Sequence, residues 1–518
     1  MVVVAAKLFP GAPLVGCEAG EDLRPAIEAG FRTVGPLRVW ITELTRYPPA
    51  GCPSAGVACS GVSDLPTLLH QAADAAADFH ATLPHRPVAR VVDPATLRAG
   101  FGGPLPSAAT PPEQVLRELI QAAEPGLVAS AGPRFFGFVV GGSVPAAAAA
   151  DMLAVGWDQV AFNAVTSPAA AAAEAVAGGW LKDLLGLPTT ASVGFVTGAQ
   201  AANTVGLAVG RHRVLADAGW DVERDGLSGA PRVRVVAGAE RHATIDRSLR
   251  LLGFGSAIVE PIATGASGAI DVADLARVLD DGPAAPTIVC LQAGNVNTGA
   301  CDALRPAIAL ARARGGWVHV DGAFGLWAAA SPTTLPLVDG LELADSWACD
   351  GHKWLNVPYD SGFVFCADPQ AHVAAASYTA AYLEGSGAAA AAADFVLESS
   401  RRARGFAVWA ALRELGRDGV AELVDRCCRL ARRFAESLAA AGAEIVNDVV
   451  LNQVLVSFGD DDRNDAIVAG VQREGTCWLG GTTWRGRRLI RVSVSNYSTT
   501  DEDVDLSVAA ILRVAAGV

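Results

Sequence analysis

Two residues in this chain combine a reactive side chain with a revealing neighbourhood. Lys353 stands beside His352 in SWACDGHKWL (346–355), a run that is otherwise apolar and follows a strand-like pattern. Burial disfavours the charged form of a lysine, and the neutral amine is the form that Schiff-base chemistry needs. The alternative is a lysine that lays its stem on Trp354 and keeps its ammonium in water. In GGWVHVDGAFGLW (315–327), Asp321 closes an apolar β-run just before Gly322-Ala323. Ligands of open α/β sheets bind beyond the carboxyl ends of the strands, so this carboxylate points where a cofactor would lie. There it can pair with a protonated ring nitrogen and hold the ring as an electron sink. Capping a helix is the competing role. The two readings separate only when Asp321 and Lys353 are considered together.

Other strand-end turns add weaker signals. TGAQAANT (197–204) joins a strand to a helix through Gly198 and Ala199, small residues that leave backbone N–H groups free for a phosphate. It lacks the GK[ST] of a nucleotide-binding loop, and no GxGxxG opens a helix elsewhere, which disfavours a nicotinamide enzyme. His242, in ERHATIDRSLRLLGFG (240–255), follows a β-rich run at a helix start, where capping competes with catalysis. Asn295 and Thr298, in LQAGNVNTG, sit in a turn that favours Asn and Gly for its own reasons.

The elements that must position these residues alternate. SVGFVTG, RVRVVAGAE, TIVCLQAG, WVHVDGA and SGFVFCA are short β-rich runs, separated by helical stretches such as AANTVGLAVGRHRVLADAG, DVADLARVLDDG and LRPAIALARARG. Such alternation predicts an α/β fold with a mostly parallel sheet covered by helices. Residues 1–62 read as an irregular extension rich in Pro and Gly, and 63–110 as a helical arm. Within the arm, an amphipathic helix starts after an Asp64 N-cap, and 87–110 forms a Pro/Gly-rich linker. PPEQVLRELIQAAEPG predicts a helix opening the large domain, 111–394. A long helical region, the strand LNQVLVSF, a helix DAIVAGVQREG and the strand RLIRVSVSN make a smaller α+β domain at 395–518.

Composition limits the function classes. With 40 Lys+Arg against 54 Asp+Glu the formal charge is −14, which disfavours nucleic-acid or anionic-membrane binding. Only 18% of the 518 residues are charged and 51% are hydrophobic, against a usual charged share of about 25%. Mean hydropathy is +0.32. The longest uncharged run, Leu184 to Gly210, is long enough to span a bilayer, but Pro188, Gln200, Asn203 and several glycines suit strand-turn-helix better. No transmembrane segment and no signal peptide are expected. Ten cysteines without a CxxC pair predict buried thiols in a reducing cytoplasm, and no metal site. Length alone suggests roughly three domains.

A phosphate-type turn, a His, an Asn/Thr turn, a strand-end Asp and a His-Lys follow one another at the strand ends of one sheet. In that order, and above all in HVDGAF…DGHKW, the chain resembles the group II pyridoxal-phosphate-dependent decarboxylases, the family of glutamate, aromatic amino acid and 2,4-diaminobutyrate decarboxylases. The resemblance runs over roughly residues 65–515 by element order. It implies fold type I, pyridoxal 5'-phosphate as cofactor, and removal of the α-carboxylate of a small-molecule L-amino acid to give an amine and CO2.

Residue by residue, it implies that Lys353 is the Schiff-base lysine and that Asp321 pairs with the pyridine nitrogen. Ala323 then packs on one ring face and His242 stacks on the other. Ala199 and Gln200 match the phosphate turn, where the family more often has Gly-Gly/Ser-Ser/Thr. Thr298 matches a cofactor-side threonine, and His352 flanks the Schiff base. Asp350 stands where some members place an Asn near the phosphate, and a carboxylate beside a dianion repels it. Tyr382, in a Tyr-Leu pair within SYTAAYLEGSGAAAAAADF (377–395), matches the loop tyrosine that protonates the substrate carbon; anchoring an Ala-rich helix is its other role. Arg491 resembles an arginine that meets a substrate carboxylate, while Arg401, Arg402 and Arg404 read as solvated or interface charges. Phe135, Phe136, Trp157 and Phe162 suit either an aromatic pocket or the core. Transamination, a C–C lyase reaction and a non-catalytic homologue are the rival readings. The surplus of apolar residues fits a family of dimers, so a homodimer with a large apolar interface is expected.

Overall fold

The computed structural model describes residues 64–378 and 391–518, with the backbone of three short strands, β1 (Val15–Cys17), β2 (Phe31–Val34) and β3 (Val39–Thr42). These pair antiparallel in the order β1-β3-β2, in a segment whose sequence reads as irregular. Strands of three or four residues hold too few alternations to register as a period. Residues 63–378 and 390–518 form a second compact unit.

That second unit is built on seven strands: β4 (Ser192–Val196), β5 (Arg234–Gly238), β6 (Val259–Ile262), β7 (Thr287–Gln292), β8 (Trp317–Asp321), β9 (Ser346–Asp350) and β10 (Gly362–Cys366). Their order is β4-β10-β9-β8-β7-β5-β6. Only β10 runs against its neighbours, so β4 through β9 all point one way. Successive side chains of a strand face opposite sides, and the burial shows it. Val236, Val289, Leu291, Val318 and Val320 belong to one buried cluster with Leu181, Trp327 and Phe434. Val235, Ala237, Ile288, Cys290 and Trp317 belong to another, with Val205, Val209 and Leu249. Helices thus cover both faces, which is why these strands read as continuous apolar runs.

The uncharged run from Leu184 to Gly210 becomes a helix end, β4 and the start of the helix Ala199–Asp217. No helix among the described residues is long and apolar enough to cross a membrane. After residue 395 comes a smaller antiparallel sheet, β11 (Glu444–Ile445), β12 (Gln453–Ser457), β13 (Gly480–Trp484) and β14 (Arg487–Ser493), in the order β11-β12-β14-β13.

Three local expectations need correction. The 87–110 segment is not all linker: it holds a helix, Pro94–Gly100, whose N-cap Asp93 accepts the Thr96 N–H at 2.9 Å. The long helix Gly405–Ala440 is two helices that meet at a kink at Gly416 (φ 62°), where the positive φ is open to glycine. Arg401 is neither solvated nor an interface charge. It is buried, and two of its nitrogens donate to the Glu174 carboxylate at 2.6 Å each. Burial pushes the Glu174 carboxyl up, and Arg401 opposes that shift. Arg402 and Arg404 pair with Asp151 and Asp360.

Candidate functional site

The site is assembled by strand direction. Because β4, β5, β7, β8 and β9 run one way, the turns at their carboxyl ends share one edge of the sheet. Those turns line a cavity of about 300 Å³ that brings together Thr197–Gln200, His242, Thr244, Gln292, Gly294, Val296, Asp321, Ala323, Phe324, Asp350, His352 and Lys353. Lys353, Asp321, Ala323, His242, Ala199, Gln200 and His352 therefore meet in one place.

Among the described residues Lys353 is the only lysine in the cavity wall, and Nζ lies 2.8 Å from Oδ2 of Asp350. The other Asp350 oxygen accepts the Ala199 N–H at 2.5 Å and lies 3.4 Å from Nε2 of His352. Behind Lys353 the turn is locked by Asn356, which sits at φ 54° and is fully buried. Its Oδ1 accepts the N–H of Gly142 (2.5 Å) and Tyr497 (2.9 Å), and its Nδ2 donates to the carbonyls of Trp354 and Ser495 (both 3.0 Å). Gly141 packs against the same turn, where an added Cβ would lie 1.9 Å from the Lys353 carbonyl oxygen.

Asp321 ends β8, and one oxygen accepts the Ala323 N–H at 3.2 Å. The other lies 3.5 Å from Oγ1 of Thr244. His242 caps the helix Ala243–Leu251: its Nδ1 accepts the Thr244 N–H at 3.3 Å and lies 2.9 Å from Thr244 Oγ1. With Nδ1 accepting from the backbone, the ring hydrogen of neutral His242 sits on Nε2. Capping and facing the cavity are thus compatible. Burial holds the imidazole below its ordinary pKa; Lys353 and Arg491 push the same way, while Asp321 and Asp350 oppose. His352 is lowered too, again chiefly by burial.

The remaining expected residues do not join this group. Thr298 does not line the cavity. Its hydroxyl donates to the Ser267 carbonyl at 2.6 Å, and Val296 forms the wall instead. The reason is the Asn295 turn: Asn295 Oδ1 accepts the N–H of Asn297 and Thr298 and folds the chain back there. Tyr382 lies outside the described residues. Phe135 and Phe136 are core, stacking on Trp478 and edge-on to Phe434, and Trp157 packs on Phe406. None of these three, nor Phe162, lines the cavity.

A pyridoxal phosphate can be tested against these groups. The donor set offers a lysine amine, a carboxylate for a ring nitrogen, an imidazole, and the N-terminus of a 19-residue helix for an anion. At Gly198 an added Cβ would lie 2.9 Å from His352 and 3.1 Å from Asp350 Oδ1, so the turn needs a bare backbone. The residues fit the cofactor, with Asp350 the one discordant charge.

Residues 94–459 match the pyridoxal-dependent decarboxylase conserved domain. The chain belongs to that family. Tryptophan decarboxylase 1 of Oryza sativa subsp. japonica is 27% identical over 468 residues, spanning 84% of this chain and 90% of the relative. The aromatic-L-amino-acid decarboxylase of Bacillus atrophaeus is 26% identical over 458 residues, 85% of this chain and 93% of its own. The crystal structure of Oryza sativa TDC with PLP and tryptamine superposes with a TM-score of 0.81 at 25% identity, covering 89% of this chain and 99% of that one. The protein is a pyridoxal-phosphate-dependent amino acid decarboxylase of fold type I, a carboxy-lyase.

The structure of this decarboxylase adds residues that sequence reasoning passed over. Thr244 links His242, Asp321 and Asn203, whose Nδ2 donates to Thr244 Oγ1 at 3.0 Å. Asn203 Oδ1 in turn meets Nε2 of buried His319 at 2.9 Å. The available signal was period two: in VHVD, His319 must face the same side as Asp321, a polar residue on an otherwise apolar strand.

Proposed function

We propose that this decarboxylase acts on aromatic L-amino acids, with Lys353 binding the cofactor and Asp321 holding its ring nitrogen. The observation that carries the residue roles is the meeting of Lys353, Asp321 and His242 in one cavity at the strand ends. Pyridoxal phosphate, when bound, supplies the electron sink that takes up the pair left as the Cα–COO⁻ bond breaks. The remaining work falls to side chains of this chain. Asp321 would hold a protonated ring nitrogen, and His242 and Ala323 would be the side chains that confine the ring. The N–H groups at the start of the helix Ala199–Asp217 favour a phosphate, with Gln200 beside them. Tyr382 donates the proton to Cα.

The aromatic preference is supported by relatives named for tryptophan and for aromatic L-amino acids. Phe324 and Val296 give the cavity an apolar wall. Arg491, on β14, donates to the Val296 carbonyl at 2.7 Å and is the cation we assign to the substrate carboxylate. A homodimer in the cytoplasm completes the reading. Leu65, Leu69, Val115, Leu119, Met152, Leu153 and Val155 leave a broad apolar surface exposed, of the kind a stable interface covers. Cys290, Cys349, Cys427 and Cys477 are free, buried thiols pushed well up by burial, as suits a reducing compartment.

The test is Lys353→Ala with added pyridoxal phosphate, together with CO2 release from a panel of amino acids. Loss of the visible absorbance, and CO2 from tryptophan, tyrosine or phenylalanine but not from glutamate, aspartate or diaminobutyrate, is expected. An unchanged spectrum overturns the role of Lys353, and release from the acidic or basic substrates alone overturns the aromatic reading.

A further inference from the structure

Asp350 sits where the cofactor phosphate is expected, on the first N–H of the helix Ala199–Asp217. Its backbone is held on both sides. Asp350 ends β9, its N–H donates to the Ala323 carbonyl at 2.9 Å, and its own carbonyl accepts from Trp327 Nε1 at 2.9 Å. The side chain is only 3% exposed, so water screens it little. Facing it are Lys353 and His352 from the following turn, Tyr359 from the loop beyond, His242 from the turn after β5, and Asp321 from the end of β8. Among these, Lys353 is the cation in contact, and its amine is the group a cofactor carbonyl must engage.

We infer that Asp350 is a built-in occupant of the anion seat, so that pyridoxal phosphate enters this site with one proton taken up between its phosphate and the Asp350 carboxylate. The inference rests on the roles given above to Lys353 and the turn 197–200. A phosphate monoester has its second ionisation near pH 6 and is a dianion at pH 8. Set against a carboxylate on one N–H, it brings three negative charges into a poorly screened pocket, and like charges there disfavour ionisation. One proton from solvent lowers the pair to two negative charges and makes a charge-assisted O–H···O bond of the repulsion. Asp350 thus positions the phosphate and makes cofactor retention depend on pH, and an amide at this position would do neither.

The experiment uses full-length apoenzyme, wild type and Asp350→Asn, titrated with pyridoxal phosphate and with pyridoxal, which lacks the phosphate, across pH 6.5–9. Binding is read from the visible band of the lysine-bound cofactor. In wild type, affinity for pyridoxal phosphate should weaken by up to about tenfold per pH unit relative to pyridoxal. Asp350→Asn should raise affinity for pyridoxal phosphate at pH 8 by at least about tenfold more than it changes affinity for pyridoxal, whose binding reports the loss of the Lys353 pair alone, and should remove the difference in slope. Equal affinity of both proteins for pyridoxal phosphate overturns the inference. So does an equal change for pyridoxal, which would mean that Asp350 acts on Lys353 alone. Calorimetry on wild type in buffers of different ionisation heat needs no variant: about one more proton taken up with pyridoxal phosphate than with pyridoxal is expected, and no difference overturns it. No visible band in wild type with either compound would instead overturn the role of Lys353, and the inference with it.

Discussion

Asn203 and His319 join a helix to the central sheet through one hydrogen bond, Nε2 of the ring to Oδ1 of the amide at 2.9 Å. The bond is one link in a chain whose donors all point toward the cavity. Trp317 Nε1 donates to Ser346 Oγ (3.0 Å), and Ser346 meets His319 Nδ1 (2.9 Å). Neutral His319 then donates through Nε2 to Asn203, and Asn203 Nδ2 donates to Thr244 Oγ1 (3.0 Å). The single Thr244 hydrogen is left for His242 Nδ1 or Asp321 Oδ2. Such chains polarise one another in a low-dielectric interior.

Removing the last link should therefore cost activity. Thr244→Val keeps the shape but loses the hydroxyl, and about 1.4 kcal/mol of lost hydrogen bonding corresponds to about tenfold in kcat/KM. Thr244→Ser should restore most of it. Steady-state kinetics of the two variants check this. A Ser variant as slow as the Val variant would reduce Thr244 to packing.

The same buried histidine makes stability depend on pH. Burial lowers His319 from the usual 6.5 to about 4, and His372 likewise to about 4. Between those values the unfolded chain binds protons at both sites and the native chain does not, so stability falls as pH drops from 6.5 toward 4. Asp302 opposes this, since burial raises it to about 6 and the native carboxyl holds a proton that the unfolded chain releases. The His372 ring bonds to Ser192 and the Phe395 carbonyl and packs against the Phe395 ring, away from the cavity, so it separates the effect from the site. His372→Gln should flatten the fall in Tm between pH 6.5 and 4.5, by an amount corresponding to about one proton. Parallel curves for variant and wild type would count against it.

How far these groups were legible in the sequence depended on locality. Lys353 and Asp321 announce themselves, because each stands at the end of an apolar run where a charge needs a reason. The alternation of runs and helices likewise carries the sheet, since both faces of β5, β7 and β8 are buried. Thr298 misled because a turn residue and a ligand look alike until the hydroxyl's partner is known. Arg401 misled because its partner Glu174 lies 227 residues away. Asp350 was visible as a charge conflict, yet its contact with Ala199 spans 151 residues and needs the fold.

Asn356 shows the same dependence on distant partners, and gives a stability prediction. Asn356→Ala strips two N–H groups and two carbonyls of their partners and leaves alanine at φ 54°, where asparagine is better tolerated. Each unsatisfied buried group costs about 1–3 kcal/mol. A loss of about 3 kcal/mol or more is expected, seen as a lower denaturation midpoint. Asn356→Asp keeps both acceptor contacts and should fall between Ala and wild type. Since the turn carries Lys353, cofactor retention should fall in the same order.

Arg491 tests the substrate side. Burial pushes its guanidinium down to about 10, and among the described residues its side chain donates to the Val296 carbonyl at the cavity wall. A buried cation is costly without a counter-charge, and a substrate carboxylate would supply one. A charged hydrogen bond is worth about 1.5–3 kcal/mol, so Arg491→Met should raise KM by about 10- to 100-fold, with a smaller effect on kcat. Arg491→Lys keeps the charge without the planar fork and should recover only part of the binding. The check is a KM-against-kcat comparison on one aromatic substrate and on the matching amine as product inhibitor. The amine has no carboxylate, so its inhibition constant should stay nearly constant across the series. If amine binding weakens in step with KM, Arg491 shapes the cavity rather than holding the carboxylate.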